Sequence, residues 1–207
     1  MLIAERFLLL ALDPADGTLT VARDRADPGA LCAAALLMEL VVQRRLHWRA
    51  PNLVLEDRLP PAHHLVDSAA KALRDRTGDG IANAIARIER RLAPLPIALL
   101  EGLFRRDFLH RVRDWRFWRA DALRFPLRSW QARNEALRTL EQATLAPGDV
   151  AGLALVMLCD LAGTLTTHLD ASRHERAAAA LLSLNDDESE ADPERYTLAA
   201  VRRALLA

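Results

Sequence analysis

Two stretches of this 207-residue chain are apolar at nearly every helical position, and a helix of that kind has no face to offer to water. The first covers residues 30–44, with Glu39 the only exception before Gln43; the second covers 150–169, where Asp160 breaks the pattern. Pro28 ahead of the first stretch and Asp149 ahead of the second are residue types that start helices. Both helices therefore belong in the middle of a fold. Around them lie segments of amphipathic period at 64–73, 81–92, from Pro94 and Pro96 to about Val112, at 132–140 and at 177–184, with a last helix opened by Asp192 and Pro193. The expected class is all-α: a compact helical bundle with buried central helices, amphipathic outer helices and one or two short β-hairpins. At roughly 150 residues per domain, the length predicts a single domain over 1–207.

The hairpins are signalled by alternation. Residues 45–48 and 53–59 flank Pro51-Asn52 and end at Pro60-Pro61, while Trp115, Phe117 and Phe125 before Pro126 suggest a second excursion. Helix followed by hairpin thus occurs twice. The turn Asp13-Pro14-Ala15-Asp16-Gly17 leads to a short strand at 18–21. Cys32 and Cys159 each sit alone in an apolar helix, which gives neither a disulfide framework nor a zinc spacing and fits a reducing cytoplasm. The longest uncharged apolar run, 150–159, falls well short of the about 20 residues that crossing a bilayer requires.

Charge adds a local asymmetry. The chain has 28 basic and 28 acidic residues and no net charge, which argues against a dedicated nucleic-acid binder. Within 105–138, however, ten arginines face only Asp107, Asp114, Asp121 and Glu135, whereas 186–194 holds six acids and no base. Trp115, Trp118 and Trp130 lie among those arginines, and indole beside guanidinium suits a nucleic acid or the headgroup zone of a membrane. The alternative is a solvated face stitched by the i, i+4 pairs Glu101–Arg105 and Asp107–Arg111.

Other polar clusters are incomplete. His63 and Asp67 share a helix face but show no third metal ligand, and His168, Asp170, His174 and Glu175 are explained by a helix end. Asp160 reads as a buried carboxylate paired with an arginine or capping backbone, because no catalytic partner accompanies it. No nucleophile elbow, Walker loop or dinucleotide fingerprint is present, so no catalytic residue, metal or cofactor is expected.

The opening Glu5-Arg6-Phe7-Leu8-Leu9-Leu10-Ala11-Leu12 with Asp13 to Gly17, and Met38-Glu39-Leu40-Val41-Val42-Gln43-Arg44-Arg45-Leu46 after it, resemble the Golgi phosphoprotein 3 family. Its pattern is a leucine-rich start, a D-x-x-x-G turn and a helix closing on E-L-x-x-x-x-R-L. Leu65-Val66-Asp67-Ser68-Ala69-Ala70 is similar to its L-L-D-E-A-L helix, and 149–162 to its long apolar helix, as in a divergent member of bacterial type. The resemblance implies an all-α core, a β-hairpin used in self-association, phosphatidylinositol 4-phosphate held by one Trp and several Arg, and the holding of glycosyltransferase tails. Those pocket positions fall near Asp24, Ala33, Gly102 and Arg105, and the family's threonine-glycine-aspartate is replaced by Pro61-Ala62-His63-His64. What remains is a looser surface of the 105–138 cluster.

The expected function is a non-enzymatic peripheral membrane or adaptor protein that binds anionic, phosphoinositide-like headgroups, cytoplasmic and peripheral to the membrane. Its anionic-lipid residues are Arg105, Arg106, Arg111, Arg113, Trp115 and Trp118. Protein tails and a second copy, through the 45–59 hairpin, are further expected partners. The competing readings are a winged-helix-like nucleic-acid binder, which helices followed by hairpins and local arginine would also fit, and an enzyme of unknown class.

Overall fold

The computed structural model describes residues 1–21, 26–50, 52–56, 63–74, 80–113, 123–146, 148–186 and 192–207. In chain order the elements are α1 (Ile3–Ala11), α2 (Pro28–Val42), β1 (Leu46–Arg49), β2 (Asn52–Leu55), α3 (His64–Leu73), α4 (Ile81–Leu92), α5 (Leu95–Arg105), β3 (Val112–Arg113), β4 (Leu123–Arg124), α6 (Trp130–Ala143), α7 (Val150–Leu161), α8 (Leu165–His168), α9 (Ala171–Asp186) and α10 (Pro193–Leu206). The fold is all-α in class, with two antiparallel two-stranded hairpins attached.

The two apolar stretches become α2 and α7, and both are buried along almost their whole length. Asp27 caps α2 by accepting from the N–H groups of Gly29 and Ala30 at 2.7 and 3.3 Å, and Asp149 caps α7 through Ala151 N–H at 3.2 Å. A third helix joins them at the centre. Every residue of α1 except Arg6 is buried, and the helix packs against α2, α5, α6 and α7. A nine-residue helix leaves too short a run for its periodicity to announce this.

Sinking the start of α1 into the core exposes it to a cost, because its first N–H groups lie where water cannot reach them. Two glutamates meet that need. Glu5 Oε2 accepts from Leu2 N–H at 3.0 Å, and Glu39 Oε2 reaches across from α2 to accept from Ile3 N–H at 2.9 Å. Glu39, the one interruption in the first apolar stretch, is thus the polar tie between two core helices.

Two helices end earlier than their apolar pattern predicts. The α5 helix stops at Arg105 instead of near Val112, because Asp107 takes a left-handed backbone with φ 63°. The N–H groups of Asp107 and Phe108 then return to the carbonyls of Phe104 and Leu103 at 2.9 and 3.0 Å, which closes the helix. Likewise the helix expected over 150–169 is broken into α7 and α8. Thr164 donates both its N–H and its hydroxyl to Cys159 O, at 2.9 and 3.3 Å, turning the chain after Gly163.

Chain reversal at Arg44, with φ 54°, feeds α2 into the first hairpin, whose register pairs Leu46 with Leu55, His47 with Val54, Trp48 with Leu53 and Arg49 with Asn52. The second hairpin pairs Val112 with Arg124 and Arg113 with Leu123, and residues 114–122 lie outside the described set. The expected strand at 18–21 reduces to a single bridge between Leu12 and Leu19. Around the core, α3, α4 and α10 bury one face each against α2. A Cβ at Gly152 of α7 would lie 2.8 Å from the Cβ of Ala143 on α6, so glycine sets how closely these helices approach.

Candidate functional site

Arg105 and Arg106 close α5, where guanidinium groups complement the negative end of the helix dipole. Arg106 Nε also donates to Gly102 O at 3.3 Å. Its Nη2 goes elsewhere: it donates to Oε1 of Glu5, the carboxylate that serves the start of α1. Glu5 is 1% exposed. A charge at that depth needs a partner, and Arg106 is that partner, its guanidinium also lying 5.3 Å from the centre of the Phe108 ring.

His63 joins the same junction. Its Nδ1 accepts from Leu65 N–H at 3.3 Å, capping α3, and its Nε2 stands 3.8 Å from Glu5 Oε1. Burial pulls the His63 imidazole below its ordinary range; Glu5 opposes that shift, and His64 and Arg106 add to it. Asp67, expected on the same face as His63, instead engages Lys71 at 2.9 Å and the buried Arg45 at 3.8 Å. The two residues therefore serve different neighbours.

Arg111 stands in the extended segment after α5 and reaches back to Glu101 at 3.1 Å, with its guanidinium 5.7 Å from the Phe104 ring centre. Asp107 is engaged by Arg128, which lies just before α6. These contacts replace the expected i, i+4 pairs Glu101–Arg105 and Asp107–Arg111. The second of these requires helix on both sides, and α5 has ended before Asp107; in the first, Glu101 is taken by Arg111 although Arg105 is still helical. Arg105 is exposed and has no carboxylate partner among the described residues.

The end of α5 therefore gathers Arg105, Arg106, Arg111 and Arg128 against Glu5, Glu101 and Asp107. Pairing does not bury these arginines: the side chains of Arg106, Arg111 and Arg128 remain 41, 37 and 51% exposed. Of the other expected lipid residues, Arg113 is placed in β3 by its backbone, while Trp115 and Trp118 lie outside the described residues. The role of Glu5 was missed by pattern alone. Its signal was a lone acid, beside Arg6, in the otherwise apolar opening segment 3–12.

Of the positions carried over from the family pocket, Ala33 and Gly102 supply no cation. Ala33 is fully buried in α2, Gly102 offers no side chain, and Asp24 lies outside the described residues. Asp160 does face an arginine, with Arg202 Nη2 at 4.0 Å, but its side chain is 39% exposed, so it is a boundary residue and not a buried acid. His168 hydrogen bonds to Leu10 O at 2.9 Å, and Asp170 caps α9 through Arg173 N–H at 2.8 Å. No group of His, Cys, Asp and Glu among the described residues is arranged to hold a metal.

A family model described as Golgi phosphoprotein 3 (GPP34) matches residues 3–206. No curated protein sequence matches the chain.

Proposed function

This chain belongs to the Golgi phosphoprotein 3 family, and from that premise we propose that it is a non-enzymatic adaptor that docks reversibly on anionic membrane through the end of α5. The observation that carries this reading is the cluster of solvent-open guanidinium groups there, with Arg105 lacking a carboxylate partner among the described residues. Basic groups near an anionic leaflet contribute about 1 kcal/mol each, so a few suffice for weak, reversible attachment. No helix among the described residues is long and apolar enough to cross a membrane. On this reading Arg113 extends the basic surface, Trp115 and Trp118 enter the headgroup layer, and the β1–β2 hairpin provides for self-association or for gripping protein tails.

Sedimentation with neutral and anionic liposomes, and titration with duplex DNA, at several salt concentrations tests it. The informative variant is Arg105→Gln/Arg111→Gln, because Arg106 is tied to the buried Glu5. Preferential binding to anionic liposomes, lost with salt and weakened in the variant, is expected. Equal binding to both liposome types, or tighter binding to DNA, overturns the reading in favour of a structural or nucleic-acid-binding role.

A further inference from the structure

A second basic feature lies apart from the end of α5. The start of α6, the short α8 and the last turn of α1 enclose a groove of about 280 Å³, small for a ligand pocket and suited to one compact group. Arg133 lines it from α6. The guanidinium is half-buried, its Nε is shielded from water without a hydrogen-bond partner, and no carboxylate among the described residues pairs with it. Asp13 acts on it from beyond ion-pair distance, and its Oδ1 accepts from the N–H groups of Ala15 and Asp16 at 2.8 and 3.2 Å.

The neighbour of Arg133 across the groove is His168, whose imidazole is held below its ordinary range chiefly by burial, with Arg133 adding to the shift. A carbonyl oxygen can only accept, so the 2.9 Å contact to Leu10 O fixes the His168 proton on Nε2 and leaves Nδ1 as the other ring nitrogen. Asn134 adds an amide donor to the lining. Thr167 is already committed, its hydroxyl donating to Thr164 O at 2.6 Å. Beside these polar groups stands Trp130, a large apolar side chain 59% exposed, with Leu137 one side-chain layer further along α6.

A half-buried guanidinium with a shielded, unsatisfied Nε and no carboxylate partner among the described residues is the arrangement an oxyanion would complete. We propose that this groove binds a single organic oxyanion, phosphate or carboxylate, with Arg133 as its charge partner, Asn134 as a donor and Trp130 packing on the apolar body that carries it. Two sources share that chemistry: the headgroup of an anionic lipid, in which case the groove deepens the membrane role proposed above and rests on it, and a soluble organophosphate, in which case it does not.

The probe is phenyl phosphate, titrated into the full-length chain while the His168 imidazole signals are followed by NMR, with the thermal midpoint as a second measure. Saturable movement of those signals and a raised midpoint are expected, with affinity falling at least tenfold in Arg133→Gln and also falling in Trp130→Ala. Arg203→Gln, an exposed change on α10, should bind as the parent chain does. A parallel arm compares anionic liposome binding by the parent chain and Arg133→Gln. Loss in both arms assigns the oxyanion to lipid; loss with phenyl phosphate alone assigns it to a soluble ligand. No saturable change at His168, or undiminished affinity in folded Arg133→Gln, overturns the proposal, whatever the liposomes do at the end of α5.

Discussion

Removing Arg106 would strand a carboxylate with almost no access to water, since Glu5 faces the start of α1 on one side and this guanidinium on the other. Leaving a buried acceptor without its charged donor costs about 1–3 kcal/mol, and the partial exposure of Arg106 places the expected loss for Arg106→Ala near the middle of that range. Urea unfolding should register it, and Arg105→Ala, one residue away, should change stability by less than about 0.5 kcal/mol. Equal losses in the two variants would contradict the assignment of Arg106 to Glu5. A pH dependence belongs to the same scale. His63 and His168 are both held below the ordinary histidine range, chiefly by burial. In the window between those lowered values and the unfolded value of about 6.5, the unfolded chain binds more protons than the fold, so stability rises with pH. The urea midpoint should therefore be flat above about pH 7.5 and fall on acidification from pH 7 toward 5.5. Replacing His168 by Gln should flatten part of that slope.

Among the elements, the turn after α1 offers the sharpest test. Gly17 has φ +74°, and a Cβ there would lie 2.2 Å from the backbone of Phe125 and Pro126. That contact is fixed by hydrogen bonds, Phe125 N–H to Gly17 O at 3.1 Å and Leu127 N–H to Pro14 O at 3.0 Å, so neither segment can withdraw cheaply. Gly17→Ala should cost more than about 3 kcal/mol, combining a left-handed backbone with a backbone clash, whereas Gly148→Ala, with nothing within 4 Å, should be mild by the same thermal melt. Central helices α2 and α7 were legible because an apolar surface without a polar face can go nowhere else. Their caps, Asp27 and Asp149, sit in the positions that local chemistry favours. What stayed hidden was set by backbone conformation: Asp107 at φ 63° ended α5, and the turn through Gly163 and Thr164 separated α7 from α8, though apolar residues continue past both points. Pairing inherited that error. Helical spacing assigns Arg111 to Asp107, but a chain that has left the helix delivers it to Glu101.

For the molecule as a whole, zero net charge means that attraction to any charged surface must come from a local cluster. Salt then acts strongly, because the Debye length shrinks from about 10 Å at 0.1 M to about 3 Å at 1 M. Binding to anionic liposomes should fall roughly tenfold between 0.1 and 0.5 M sodium chloride, measured by sedimentation; salt-independent binding would point to apolar insertion instead. The local arginine surplus at 105–138 was visible in the sequence, but its division was not: part neutralises the buried Glu5, part pairs on the surface, and Arg133 lines a groove without a carboxylate partner among the described residues. The burial of α1 also has a consequence for synthesis. This apolar helix leaves the ribosome ahead of α7, one of the walls that covers it, by roughly 150 residues, which at about 5–20 residues per second is a delay on the order of ten seconds. During that interval Phe7, Leu8 and Leu9, which the finished fold buries completely, lack one of the helices that cover them.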